Sequence, residues 1–348
     1  ETLAENGWLG VAIPEEYGGE GMGMLEMSIV VEELDRAGGQ AGVFFTLVPV
    51  FGGVSLLEHG SEGQKEEYLP ALADGEEIFS LGMTEPTAGT NTLQMETTAT
   101  QDGDEYVIHG TKTFISGVES ATTMLLVART SPYDPDNPTH GLTVFLVPEP
   151  ADQAGIEYTA LDTQVPWAEK QYQLNIAGLS VSAEDSRVLG EVDAGMDVLW
   201  ATLNTERLAT AAGCIGGGLR AIDLASEYAN DREVFDGPIG AYQSIQHPLA
   251  DSYSKLRTAR LMLYEAAWRY DQDEECAPEA NMAKLRASEA ATEAAHNAVQ
   301  AHGGNGFTRE YEVYDIFQRM RLWQTSPVAN EMVKNYIGEH VLGLPRSY

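Results

Sequence analysis

The chain has 348 residues, enough for two or three domains' worth of core, and its hydrophobic fraction of 43% is that of an ordinary globular protein. Acidic residues outnumber basic ones by 54 to 20, a formal net charge of −34. An excess of that size repels nucleic acid and anionic membranes, which excludes functions that depend on binding either. Along the chain, the first zone (1–80) reads as helical. Over 24–37 the apolar residues Leu25, Ile29, Val30 and Leu34 recur at helical spacing and stop at Gly38-Gly39. The most apolar stretch, 43–57, is too short to span a bilayer and is interrupted by Pro49, Gly52 and Gly53. Ser61-Glu62-Gly63-Gln64 has the pattern of a capping box and starts a further helix. The glycines of 15–21 follow no strand and precede no helix, so they form no dinucleotide fingerprint.

The second zone, 81–190, changes period. Residues 97–100 and 105–109 alternate around Gln101-Asp102-Gly103-Asp104, a hairpin signal. Segments 124–129 and 142–147 are candidate buried strands separated by a Pro-, Asp- and Asn-rich loop. Without crossover helices between strands, an antiparallel barrel or sandwich is expected rather than a nucleotide-binding parallel sheet. The third zone, 191–348, is helical again, with long elements expected over 198–230 and 243–272. Another runs from Pro278 to His302, and a last one covers 329–341. Such lengths predict a four-helix bundle. Gly216-Gly217-Gly218 lies inside the first of these helices and is read as close helix packing. The fold class is therefore α+β multidomain: an N-terminal helical domain, a middle antiparallel β-barrel or sandwich, and a C-terminal four-helix bundle.

Cys214 and Cys276 fit no metal spacing and no disulfide framework, which favours a reducing cytoplasm, and no signal peptide is visible. The acids are dispersed, not gathered in a tail. Such a surface suits concentrated salt, where the Debye length falls to about 3 Å and self-repulsion is screened, so a halophilic source is expected.

Three segments carry chemistry as a set. The first is Met83-Thr84-Glu85-Pro86-Thr87-Ala88-Gly89-Thr90, followed by Gly110 to Ser116. The second is Arg232-Glu233-Val234-Phe235 with Gln243, and the third is Gln300 to Phe307 around Gly303-Gly304. In order and spacing they resemble the acyl-CoA dehydrogenase family, flavoenzymes that oxidise acyl thioesters, over nearly the whole chain. The resemblance implies FAD as cofactor. It implies that Leu81, Met83, Thr84, Gly89 and Thr90, with Phe114 and Ser116, touch the isoalloxazine or pyrophosphate. Phe114 stands where many members have tryptophan. Glu85 is expected to make a structural hydrogen bond. Arg232, Phe235 and Gln243 would reach a neighbouring subunit's dinucleotide, arginine being suited to bidentate contact with phosphate. Gln300, Gly303 and Gly304 would cradle the ADP part, and His302 is read as structural. Asp236 departs from the glycine usual in the family.

Oxidation between the α and β carbons needs a base for the α proton and a flavin to take the hydride. The family's usual glutamate is replaced here by Pro327, which has neither a carboxylate nor a backbone N–H, and Arg319 stands where aspartate is common. Asn204-Thr205-Glu206-Arg207-Leu208 resembles the segment that carries the base in the isovaleryl-CoA and long-chain acyl-CoA dehydrogenase branches. Glu206 is thus the expected base, with Glu331 the runner-up. The resemblance further implies an acyl-CoA substrate, electron transfer to an electron-transfer flavoprotein and a homotetramer. It also implies an N-terminal piece of about 35 residues, one or two helices, ahead of Glu1. Rival readings are another chemistry on the same fold (enoyl-CoA reductase, acyl-CoA oxidase or nitroalkane-type oxidase) and an inactive partner subunit.

Overall fold

A computed structural model describes residues 2–347. They fall into two compact units. One comprises the segment up to Met22 with Phe45–Thr163 and Ala168–Leu203; the other comprises Gly23–Phe44, Gln164–Trp167 and the chain from Asn204 onward. The first helical zone contributes to both units.

In the first unit, helical turns from Thr46 to Val54 and from Ser55 to His59 lead to a helix at Glu62–Ala73. Pro49, Gly52 and Gly53 were expected to interrupt this region, but the chain passes through them in π-helical turns over Thr46–Val54. The uninterrupted helical stretch Ala41–His59 is thereby long and apolar enough to cross a membrane. Most of it is buried in the protein instead, which is the pattern of a core helix. Ser61 caps the next helix as expected: its N–H donates to Gln64 Oε1 at 2.9 Å, and Gln64 N–H donates to Ser61 Oγ at 3.3 Å.

Eight strands follow: β1 (Phe79–Gly82), β2 (Thr98–Asp102), β3 (Glu105–Ser116), β4 (Thr123–Arg129), β5 (Leu142–Pro148), β6 (Ile156–Ala160), β7 (Gln171–Ser182) and β8 (Val188–Leu189). The strand order is β6-β7-β3-β2-β4-β5-β8, with β1 beside β4. Pairing is antiparallel except for β1 on β4 and a single β2–β4 pair. Ile108, Leu174 and Ile176 from one side of the sheet share a core with Met124, Leu126 and Phe145 from the other, so the sheet curls over its own apolar face. Tyr106 of β3 meets Phe145 of β5 edge to face, with ring centroids 5.1 Å apart.

The second unit is helical: α1 (Met24–Arg36), α2 (Leu203–Asp231), α3 (Gln243–Asp271), α4 (Ala277–His302), α5 (Val313–Leu322) and α6 (Asn330–Tyr336). The helix expected over 198–230 is broken at Thr202, whose Oγ donates to the Leu199 carbonyl at 2.9 Å. Helix α5 had no counterpart among the expected elements, and α6 continues in π-helical turns over Ile337–Val341. Helix α2 is central. A Cβ at Gly216 would lie 2.3 Å from the Glu32 carbonyl oxygen of α1, one at Gly217 would lie 2.6 Å from Met320 of α5, and one at Gly218 would lie 2.7 Å from Leu256 of α3. Three successive glycines thus admit three different neighbours, as the reading of close packing required.

Helix α1 has the expected period but a rotated phase. Its inner face carries Met24, Met27, Val31, Glu32 and Asp35, while Ile29 is exposed. The reason is polar. Glu32 is fully buried and accepts from Arg260 Nη1 at 2.8 Å and Tyr264 OH at 3.0 Å, and Asp271 of α3 accepts from the Met24 and Leu25 N–H groups that open α1.

Candidate active site

In the first unit the two segments expected at the flavin ring lie side by side. Leu81 is on β1 and Met83 and Thr84 follow it; Phe114 and Ser116 end β3. Thr113 N–H donates to the Thr84 carbonyl at 2.8 Å. Beneath them is a buried ion pair: Lys112 Nζ donates to Glu85 Oε1 at 2.9 Å and to the Met83 carbonyl at 3.0 Å. Glu85 also accepts from Glu96 N–H at 2.6 Å and Thr97 N–H at 3.0 Å. Burial pushes this carboxyl up, but Lys112 and the two N–H groups outweigh it and leave Glu85 below the usual carboxylate range. Burial pulls Lys112 down to about 8, against the pull of Glu85. Glu85 is thus a structural acceptor that ties the turn to β3. Gly89 and Thr90 are exposed on the following loop, and nothing would stand within 4 Å of a Cβ at Gly89.

Phe114 sits where β3 and β7 slip register between Lys112 and Ile115. Its φ is +56° and its side chain is 62% exposed. A bulky residue in the left-handed region with its ring toward solvent is costly unless the ring has a task there. Ser116 Oγ accepts from Gln171 Nε2 at 2.8 Å.

In the second unit a cleft of about 560 Å³ gathers Arg232 and Phe235 with Gly303 and Gly304, two pairs far apart in sequence. Gln243 immediately precedes the lining residue Ser244, and Gln300 faces an adjoining cleft that shares Gly303. Phe235 opens a two-residue hairpin between Val234 and Gly237, with φ +57° and 95% exposure. That turn position favours glycine, so Phe235, like Phe114, is held open against its conformational preference. Asp236 follows with an ordinary φ, which explains why a residue other than glycine is tolerated there. Gly303 has φ +58°, and a Cβ on Gly303 or Gly304 would meet nothing within 4 Å. His302 is locked in the wall: its ring stacks on Tyr228 at 4.3 Å and its Nδ1 lies 2.8 Å from the Ala298 carbonyl. Among the described residues no Asp or Glu lines this cleft, in a chain with 54 of them. One guanidinium, exposed aromatic rings and bare glycine backbone suit an anionic ligand with a flat ring.

Glu206 lies in the first turn of α2, just after the break at Thr202, and is 7% exposed. Burial pushes its carboxyl up to about 7, while Arg207 and Lys284 pull it down. Glu331 is exposed on the first turn of α6. Only one of the two candidate bases is therefore in a dry setting. Arg319, also buried, interacts with Asp35, whose carboxyl accepts from the Ala41 N–H and from Gly42 N–H at 3.3 Å; burial raises it to about 7. Sequence reasoning passed over Asp35, Tyr228, Lys284 and Asn330. For Lys284 a signal existed: it is a cation on the same helical stripe as Ala280, Ala287 and Ala291.

Residues 1–76, 80–175 and 193–342 match the N-terminal, middle and C-terminal domains of acyl-CoA dehydrogenase. The chain belongs to the acyl-CoA dehydrogenase family. It is 39% identical to acyl-CoA dehydrogenase FadE12 of Mycobacterium tuberculosis over 98% of its own length and 87% of that protein. It is 32% identical to the caffeyl-CoA reductase-Etf complex subunit CarC of Acetobacterium woodii, over 93% and 84%. Its fold matches the structure of a glutaryl-coenzyme A dehydrogenase in complex with glutaryl-CoA with a TM-score of 0.92 and 30% identity, covering 99% of this chain and 87% of that one. The three-domain architecture of helices, sheet and helices is thereby that of the family. The protein is an oxidoreductase whose cofactor is FAD.

Proposed function

We propose that the protein dehydrogenates an acyl-CoA thioester between its α and β carbons, giving the trans-2-enoyl-CoA, with Glu206 as the base. The observation that carries this reading is the dry carboxyl at position 206, pushed up to about 7. Burial makes that carboxylate a stronger base than one in water, while Arg207 and Lys284 keep enough of it ionised near neutral pH. Glu206 takes the α proton; FAD, when bound, supplies the acceptor for the β hydride.

Leu81, Met83, Thr84, Gly89, Thr90, Phe114 and Ser116 would hold the isoalloxazine and the adjoining pyrophosphate. The exposure and backbone conformation of Phe114 support a stacking role. Arg232, Phe235, Gln243, Gln300, Gly303 and Gly304 would hold the ADP part, and the acid-free lining of their cleft supports it. On the family pattern that dinucleotide belongs to a neighbouring subunit, so the working form is a homotetramer. Electrons pass to an electron-transfer flavoprotein, as the name of the Etf-complex relative suggests by analogy. That name also favours a second reading, reduction of an enoyl-CoA, in which Glu206 returns the proton to the α carbon.

Dye reduction by purified holoenzyme with a panel of acyl-CoA esters tests the proposal. Turnover with saturated esters and no oxygen consumption is expected. Turnover only of enoyl-CoA with a reduced donor would favour the reductase, and oxygen uptake would favour an oxidase.

A further inference from the structure

We infer that the acyl group brought to Glu206 ends in a carboxylate, and that three donors confer this specificity: the Thr210 hydroxyl, the Trp323 indole N–H and the Arg319 guanidinium. The inference deepens the reading of Glu206 as base and rests on it. All three side chains are more than nine-tenths buried, with exposures of 0%, 4% and 8%. Thr210 Oγ and Trp323 Nε1 are without a hydrogen-bond partner among the described residues. A helix threonine commonly donates to the carbonyl four residues back, which here is that of Glu206, and Thr210 does not. Among the described residues no carboxylate lies within 4 Å of the Arg319 guanidinium, and no acceptor hydrogen-bonds to it.

The donors stand in line from the base. Glu206, Thr210, Gly213 and Gly217 fall on one face of α2, so Thr210 and Gly213 lie roughly 6 and 10 Å along the helix from Glu206. Helix α5 runs along this face in the opposite sense. Arg220 Nε donates to Glu312 Oε1 at 2.8 Å just ahead of α5, and Met320 fills the space over Gly217. Trp323 follows α5 and comes down beside Gly213: a Cβ at Gly213 would lie 3.1 Å from Gly42 Cα, and one at Gly42 would lie 3.7 Å from Trp323 Cζ2, on the edge of the ring that carries Nε1. Arg319 is one turn before Trp323 on the same side of α5. An indole N–H and a guanidinium only donate, and a hydroxyl can, so the missing partner is an acceptor. Buried donors without acceptors are unfavourable, a guanidinium most of all, and its fork fits the two oxygens of a carboxylate. Asp35 does not fill that role. Burial pulls Arg319 down and Asp35 is the foremost acid opposing this, but the Asp35 carboxyl stands beyond ion-pair distance and accepts from the Ala41 and Gly42 N–H groups.

Matched esters test this on the FAD-loaded enzyme: hexanoyl- against adipoyl-CoA and octanoyl- against suberyl-CoA, equal in chain length and different only in the terminal carboxylate. At one of the two lengths wild type should favour the carboxylated ester by about 10²-fold or more in kcat/KM. Arg319→Met should shrink that ratio by about tenfold or more, and Trp323→Phe, which keeps an aromatic ring and loses the N–H, by about fivefold; Thr210→Val should act as Trp323→Phe does. A wild type that treats each pair alike or prefers the alkyl esters, as it would if trapped water satisfied the donors, overturns the inference. So does a ratio that none of the variants moves: a merely structural role would lower the melting temperature and leave the ratio in place. Should Arg319→Met fail to fold, Trp323→Phe decides alone. Dissociation constants of the same esters with Glu206→Gln keep the two ideas apart. If that variant discriminates and still bleaches at the wild-type rate, the base reading falls; if it no longer bleaches and does not discriminate, only the present inference falls.

Discussion

Glu206, Phe114 and Phe235 each occupy a setting that opposes their own stability. Burial holds Glu206 near 7, and the two phenylalanines stand exposed at positive φ. For the carboxyl the consequence is measurable in two ways. Activity depends on the ionised form, so kcat/KM should rise with pH through about 7. Stability runs the other way. The folded value is raised above the ordinary 4.5, so the native state binds more protons than the unfolded chain, and the stabilisation present in acid is lost as pH rises through about 7. Glu206→Gln should therefore unfold at a higher temperature than wild type at pH 8, by on the order of 1–3 kcal/mol of stability, and the gap should close toward pH 5. Thermal melts at both pH values check this; equal melting at pH 8 would mean that the site is wetter than its geometry indicates. Phe235→Gly should relieve the hairpin by roughly 0.5–1 kcal/mol while weakening FAD retention. Unchanged FAD content would remove Phe235 from the cofactor's contacts.

Elements whose signals are local were legible in the sequence. The Ser61 capping box, the hairpin around Gly103, the proline at the start of α4 and the glycine pair at its end all stand where residue type and spacing put them. The elements misread are those settled by distant polar partners. Helix α1 turns its Glu32 inward because Arg260 and Tyr264 await it, which no count of apolar residues can anticipate. The break at Thr202 and the π-turns around Pro49 likewise depend on packing. Glu85 was legible as a structural acceptor, but Lys112, its buried partner on β3, was not. Removing that partner by Lys112→Met should cost about 3–5 kcal/mol, because it strands Glu85 without its counter-charge. The melting temperature should fall and FAD should be lost with it. A near-neutral result would show that Glu96 and Thr97 alone satisfy the carboxylate.

For the whole molecule, the cofactor and family were readable because three separated segments agree, while the acyl group was not, since no motif encodes the shape of a pocket. The net charge of −34 bears on stability rather than on chemistry. If the acidic surface is a device for concentrated salt, the melting temperature should climb steadily from dilute buffer to molar KCl, and indifference to salt would reject it. The central claim stands apart from that question: one buried carboxyl at position 206 removes the α proton. Anaerobic titration of holoenzyme with its acyl-CoA substrate, followed by flavin absorbance, tests it most directly. Wild type should bleach, and Glu206→Gln should keep its FAD and bleach slower by about 10²-fold or more. Bleaching at the wild-type rate in that variant would contradict the account.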